Sequence, residues 1–219
     1  MINSLVDKIY LITTLNSSRF DYISNHLKEN DINYELFIAT NYKLFSNDTN
    51  VIDSGEETRP ALSLLSSFIS IIYSAKLHNY NSIAILEDDC FFAKNWKEKF
   101  QNFYNNIPSD WDLINLGYHP LHESDTIKEK INDFVYKPLN YHHTTHCMVV
   151  KNTCFDEFIN LYSRWNYTIP IDYIFNEIYK NHLFKSFCPT DHIAYQLSVR
   201  DNVYPIEGTD LRFDSAINL

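Results

Sequence analysis

"SIAILEDDCFF", residues 82–92, joins an apolar, β-branched run directly to three successive carboxylates, Glu87, Asp88 and Asp89. Adjacent like charges repel one another and gain nothing from burial, so packing alone explains the triplet poorly. The run reads as a central strand, which puts the acids at its carboxyl end. In open α/β sheets the ligand lies beyond the carboxyl ends of the strands. Side chains alternate along an extended strand, so Glu87 and Asp89 are expected to point one way and Asp88 the other. Two carboxylates on one side suit a hard divalent cation, Mn²⁺ or Mg²⁺, held together with the oxygens of a substrate diphosphate. The plain alternative is a solvated corner whose acids face water.

The flanking sequence supplies the rest of such a sheet. "KIYLITTL" (8–15) has the apolar, β-branched character of a buried strand. A helix follows, with Phe20, Ile23 and Leu27 on one face and Ser17 or Ser18 as its cap. "YELFIAT" (34–40) then completes a β-α-β unit, and residues 41–59 form a long polar loop. Thr58 caps a helix with Pro60 in its first turn, and "ALSLLSSFISIIYSAKLHN" is apolar on nearly all sides apart from its serines, which predicts burial. Beyond the acids, "NWKEKFQNFYNNI" (95–107) shows a helical period through Trp96, Phe100, Phe103 and Tyr104, and "WDLINLG" (111–117) is a short strand. Residues 118–133 read as a polar loop, "FVYKPLNY" and "HTTHCMVVK" as strands, and "TCFDEFINLYSRW" and "IDYIFNEIYKN" as helices. The alternation predicts an α/β fold with a mainly parallel central sheet flanked by helices.

Bulk properties narrow the function. A chain of 219 residues holds one full α/β domain, and a second core would leave both halves small. The formal charge of −10 repels nucleic acid and anionic membrane surfaces, so a small anionic ligand needs a local cation, which a divalent ion supplies. Cys90, Cys147, Cys154 and Cys188 have no metal-type spacing and read as buried free thiols of a reducing compartment. Asp7 and Lys8 precede a first apolar run too brief to span a bilayer and without a basic leader. The expectation is therefore a cytoplasmic protein with no transmembrane segment, peripheral contact with a membrane staying open. Nucleotidyl transfer would share the sheet, the metal and the acids, but it usually brings a Gly-rich phosphate loop, and three glycines in the whole chain offer none.

Other residues invite chemistry. Asp172 in "IPIDYIF" sits where a helix begins after Pro170, so it reads either as a general base at the edge of the site or as an ordinary helix cap, in which case Asp191 and Glu123, in loops, are the next candidates for the base. In "YHHTTHC" (141–147), His142 and His146 would share a strand face and His143 would not, which falls short of the three or four converging ligands of a zinc site. Asp112 reads as structural, orienting a loop beside the site. Tyr118, His119 and the loop that follows have an aromatic and polar mix that suits a sugar acceptor or a plain surface loop.

Taken in order, "YLITTLNSSRF", "FIAT", "LLSS", "AILEDDCFF", "WDLINLG", "HCMVVKNTCFDEFI" and "IPIDYIF" resemble glycosyltransferase family 25, the group of bacterial lipooligosaccharide and collagen galactosyltransferases. The resemblance spans residues 8–200, and the acidic triplet on its apolar strand followed by "WDLINLG" is its most specific part. It implies a GT-A-like fold over residues 1–219, with a donor-binding half over 1–117 and an acceptor-side half over 118–219. It also implies metal-dependent, inverting transfer of a hexose, galactose or glucose first, from a UDP-sugar donor to a glycan or other hydroxyl-bearing acceptor. By the same resemblance Asp89 is a direct metal ligand, and Glu87 and Asp88 bind metal, ribose or donor sugar. Thr13 and Arg19, past the first strand, and Ala39, Thr40 and Asn41, past the second, lie near the nucleotide. Asp172 matches an acidic family position, and His192 and Gln196 match a region near the donor or closing over it. Ser66 and Ser67 stand where the family tends to show a Ser-His pair, and a glycine usual before that pair is missing. Those departures keep a second reading in view, a carbohydrate-binding or scaffold module that has lost turnover.

Overall fold

The strand read at the acidic triplet lies inside an eight-stranded sheet. A computed structural model of the chain describes residues 1–41, 43, 59–117, 128–139, 145–164 and 170–196. In chain order these form α1 (Ile2–Leu5), β1 (Lys8–Thr13), α2 (Phe20–Glu29), β2 (Glu35–Ile38), α3 (Arg59–Leu77), β3 (Ser82–Glu87), β4 (Cys90–Phe92), α4 (Trp96–Asn106) and β5 (Leu113–Asn115). There follow β6 (Lys128–Lys130), β7 (Val135–Pro138), β8 (Cys147–Lys151), α5 (Phe155–Arg164), α6 (Ile171–Lys180), β9 (Ser186–Pro189) and β10 (Ala194–Gln196). The sheet order is β2-β1-β3-β8-β5-β9-β7-β6, and β4 pairs with β10 in a separate ribbon. Six of the eight strands run one way, and β8 and β7 run against them. The expected α/β architecture with a helix-flanked central sheet is therefore the one observed, with two reversed strands that make the sheet mixed.

Both faces of β3 are covered, which is why its sequence is an unbroken apolar run. Ala84 and Leu86 pack with Ile23 and Leu27 of α2 and Trp96, Phe100 and Phe103 of α4. Ile83 and Ile85 pack on the other face with Leu65, Phe68 and Ile72 of α3, Phe158 of α5 and Phe175 of α6. Two cores thus share one sheet; β3 ends at Glu87, and Asp88 and Asp89 lie in the turn that leads into β4. The reversed β8 pairs with β3 through Leu86 and Cys147, so the residues that precede β8 arrive at the carboxyl end of β3.

Several expectations are corrected. Helix α2 has Arg19, not Ser17 or Ser18, at its N-cap and no side-chain cap bond; the Ser17 hydroxyl donates to Asp88 and accepts from Arg19 N at 3.2 Å. Tyr104 is exposed, so α4 buries only Trp96, Phe100 and Phe103. The polar stretch expected as loop contains β6, an edge strand paired with β7. Helix α3 buries one side, leaving Tyr73 and Leu77 exposed, and two of its serines bond back to the helix itself, Ser67 donating to the Ser63 carbonyl at 2.7 Å and Ser70 to that of Ser66 at 2.8 Å. Among the described residues Pro60–Leu77 is long and apolar enough to cross a membrane by length and composition, yet half of it is buried inside the protein. The four cysteines are free and buried, as expected. Thr58, Tyr118, His119, Glu123, His142 and His143 lie outside the described residues.

Candidate active site

The carboxyl ends of β1, β3 and β5, the start of β8 and the end of β10 converge on the acidic triplet. Because β1 pairs in parallel with β3, with Ile12 opposite Glu87, Thr13 falls beside Asp88. Asp88, 4% exposed, accepts hydrogen bonds on Oδ2 from Thr13 Oγ1 (2.7 Å) and Ser17 Oγ (2.6 Å), and on Oδ1 from Arg19 Nη2 (2.5 Å). Two hydroxyls and a guanidinium compensate this buried charge and tie the β1–α2 loop to the end of β3. The Nε of Arg19 is buried with no hydrogen-bond partner among the described residues, although a third of the side chain is open to solvent. Ala39 N donates to the Thr13 carbonyl at 2.8 Å, the Thr40 carbonyl accepts from the Ser63 hydroxyl, and Asn41 Oδ1 accepts from Lys43 N at 3.0 Å. Residues 39–41 thus border Thr13 at the same edge of the sheet.

Glu87 and Asp89 have fewer partners. Glu87 N donates to the His146 carbonyl at 3.0 Å, and Thr145 Oγ1 donates to Glu87 Oε1 at 2.7 Å. The apolar surround pushes the Glu87 carboxyl well above the usual range, and the charge on Asp89 pushes it further, ahead of those on Asp172 and Asp88. Asp89, 6% exposed, accepts from Gln196 Nε2 on Oδ2 at 3.0 Å, while its Oδ1 has no hydrogen-bond partner among the described residues. Burial raises the Asp89 carboxyl too, against the opposing pull of Arg19 and the Gln196 bond. The charge on Asp89 raises Glu87 more than that on Asp88 does.

Asp172 is the second residue of α6, after an N-cap at Pro170 that makes no side-chain cap bond. It therefore does not occupy the cap position, and its charge acts on Glu87. Asp172, Asn176 and Tyr179 recur at helical spacing and share one face of α6. Asn176 and Tyr179 are buried there, and burial pushes the Tyr179 phenol far up, with Asn115 acting in the opposite direction. That spacing of polar groups through an otherwise apolar stripe was a readable signal that went unused. Thr145 and the buried Asn115 had no comparable mark. Gln196 carried only its place in the resemblance.

The structure thus gathers Thr13, Arg19, Ala39, Thr40, Asn41, Glu87, Asp88, Asp89 and Asp172 at one end of the sheet. Asp112 does not join them. It is structural, accepting from Thr153 Oγ1 (2.7 Å) and Lys185 N (3.0 Å), but it lies before β5 at the opposite end of the sheet, where it orients a loop remote from the acids. The ring of His146 is fully buried against Gly117. Among the described residues no group of three His, Cys, Asp or Glu side chains forms a metal-holding set. Magnesium-type ions are commonly held by one or two carboxylates plus substrate phosphates, and the pair Glu87 and Asp89, with an unpartnered buried oxygen, fits that shared arrangement rather than an all-protein cage.

No family model matches the chain, and no curated protein matches it. Among solved structures, it is similar to A197 from STIV, with a TM-score of 0.45 and 13% identity over 91% of this chain and 97% of that one. It is also similar to a glycosyltransferase involved in the glycosylation of the major capsid of PBCV-1, with a TM-score of 0.41 and 11% identity over 71% of this chain and 65% of that one. Likeness at this level assigns no chemistry, and what bears on the chemistry of this chain is the geometry of its own acids.

Proposed function

We propose that this chain is a metal-dependent, inverting glycosyltransferase that moves a hexose from a UDP-sugar to a glycan or other hydroxyl-bearing acceptor. The observation that carries the reading is Asp89, a buried carboxylate at the carboxyl edge of the sheet with one oxygen lacking any partner among the described residues. An unmet buried carboxylate oxygen is costly, and a cation is the partner that offsets it. Asp89 and Glu87 would hold Mn²⁺ or Mg²⁺, which when bound neutralises charge on the diphosphate of the donor. Thr13, Arg19 and residues 39–41 would border the nucleotide, and Arg19 would bring its Nε–H, which has no hydrogen-bond partner among the described residues. Uridine as the base, and galactose or glucose as the sugar, rest on the resemblance to family 25.

In this reading Asp172 accepts the proton of the acceptor hydroxyl. The acceptor oxygen forms a bond to the anomeric carbon as the bond from that carbon to the diphosphate oxygen breaks, and UDP leaves with the electron pair. Attack opposite the leaving group inverts the anomeric centre.

Calorimetric titration of UDP with and without Mn²⁺, followed by UDP release from UDP-galactose and UDP-glucose, tests the proposal. UDP binding is expected to require Mn²⁺, and Asp89→Asn is expected to abolish that binding in a folded protein. Undiminished Mn²⁺-dependent binding in folded Asp89→Asn would overturn it. Metal-dependent binding with no release from any donor would leave the binding-module reading instead.

A further inference from the structure

We infer that Gln196 is a positioning residue, one that holds Asp89 by a single oxygen and so keeps the other directed at the cation. The inference rests on the reading of Asp89 as a metal ligand. It adds a residue from the far end of the described chain, 107 positions away in sequence.

The backbone fixes where Gln196 stands. In the β4–β10 ribbon Gln196 pairs with Cys90, the residue that follows Asp89. The ribbon is anchored at its other end, where the Leu116 carbonyl accepts from Ile193 N (3.1 Å) and Ala194 N (3.2 Å) and the Ile193 carbonyl accepts from Ala93 N (3.0 Å). That crossing depends on Gly117, since a Cβ there would lie 2.1 Å from the Ala194 carbonyl oxygen. Strand β10 is therefore seated over the end of β5 and against β4, and the Gln196 side chain reaches Asp89 from a strand held on two sides.

The chemistry of the contact suits a metal ligand. A carboxylate oxygen can only accept, so the Gln196 amide must present its N–H₂ to Asp89, as it does at 3.0 Å. A neutral donor orients the carboxylate without cancelling its charge. A lysine or arginine at this position would form an ion pair and compete with a cation. The guanidinium of Arg19 is instead bonded to Asp88. Hydrogen bonds of this kind set the orientation of metal-binding side chains.

The test uses the full chain with Gln196→Leu, which keeps the bulk and removes the donor, and Gln196→Asn, which keeps the amide but withdraws it by one methylene. Both are titrated with Mn²⁺ at fixed UDP, with melting curves alongside. Each is expected to raise the Mn²⁺ concentration for half-maximal UDP binding by about 10–100-fold, the usual effect of losing such a partner. UDP affinity at saturating Mn²⁺ is expected to return to the wild-type value, and the melting temperature to stay close to it. An unchanged Mn²⁺ requirement in either folded variant would overturn the inference. So would a loss of UDP affinity that saturating Mn²⁺ does not restore, because that marks a merely structural residue. Wild-type protein that binds UDP equally well without Mn²⁺ would instead refute the metal reading beneath it.

Discussion

Gly117→Ala should damage stability and metal use together, because one atom is added where the chain has no room. The new Cβ would sit 2.1 Å from the Ala194 carbonyl oxygen, 2.8 Å from its carbon and 2.4 Å from His146 Nε2. Neither neighbour can yield cheaply. Ala194 is backbone bonded to Leu116, and His146 is fully buried. Reaching ordinary contact requires a retreat of about 1.3 Å or more, enough to stretch the bonds from Ile193 and Ala194 to the Leu116 carbonyl beyond useful length. Overpacking costs about 1–3 kcal/mol and a weakened backbone bond about 1 kcal/mol, so a total of about 2–4 kcal/mol is expected. For a chain of this size that lowers the melting temperature by about 5–15 °C. The same lift of β10 withdraws Gln196 from Asp89, so the Mn²⁺ requirement for UDP binding should rise as it does for Gln196→Leu. Melting curves and the Mn²⁺ titration on one preparation decide it. A melting temperature within about 2 °C of wild type would refute the packing argument. A destabilised variant with a wild-type Mn²⁺ requirement would refute the link through β10.

Two further outcomes follow from the same geometry. Asp172→Asn is expected to slow sugar transfer by about two to four orders of magnitude, the usual range for a general base, while leaving Mn²⁺-dependent UDP binding and the melting temperature unchanged; near-normal transfer would move the search for the base to Asp191 and Glu123. His26 takes the Phe92 N–H on Nε2 at 3.0 Å, and burial holds its imidazole below the ordinary value of 6.5, against a weak opposing pull from Glu29. The unfolded chain therefore binds this proton more readily than the folded one, so the stability contribution is full above pH 6.5 and declines as pH falls from there towards the lowered folded value. Melting curves from pH 8 to pH 5 should show a shallower decline for His26→Gln, whose side-chain oxygen can still accept from Phe92; an identical slope would refute the assignment.

What could be read from the sequence was what the chain states locally. The apolar run of β3 declares a strand covered on both faces, and the change to carboxylates at Glu87 marks where it leaves the sheet. The β1-α2-β2 unit was legible for the same reason, each element carrying its own period. The ribbon was not. β4 and β10 have three residues each, too few for a pattern, and the contact that gives them meaning joins Asp89 to a residue 107 positions away. At Ser17 a long-range contact was equally hidden, since its hydroxyl donates to Asp88, 71 positions off, while Arg19 takes the N-cap position of α2. The place of Asp112 was misjudged because a strand of three residues says little about which of its ends faces the ligand.

The three acids that look equivalent in sequence are unequal in the fold, and the inequality explains why they are adjacent. Asp88 receives two hydroxyls and a guanidinium, whereas Glu87 and Asp89 each receive one neutral side-chain donor. The fold spends Arg19 on the middle acid, and by doing so it fixes the β1–α2 loop against the strand end. That leaves the outer two raised by burial, Glu87 further by the charge on Asp89 and Asp89 by that on Asp88, with Asp89 Oδ1 unmet among the described residues. An arrangement selected for stability alone would have neutralised or paired these groups, since a buried unpaired carboxylate is costly. Asp88 is thus matched within the fold, while Asp89 keeps a buried oxygen unmet among the described residues, the oxygen that the proposed cation would meet. This is why Asp89→Asn, which removes a poorly matched buried charge and keeps the Gln196 contact within reach of an amide oxygen, should leave the protein folded while ending its use of Mn²⁺.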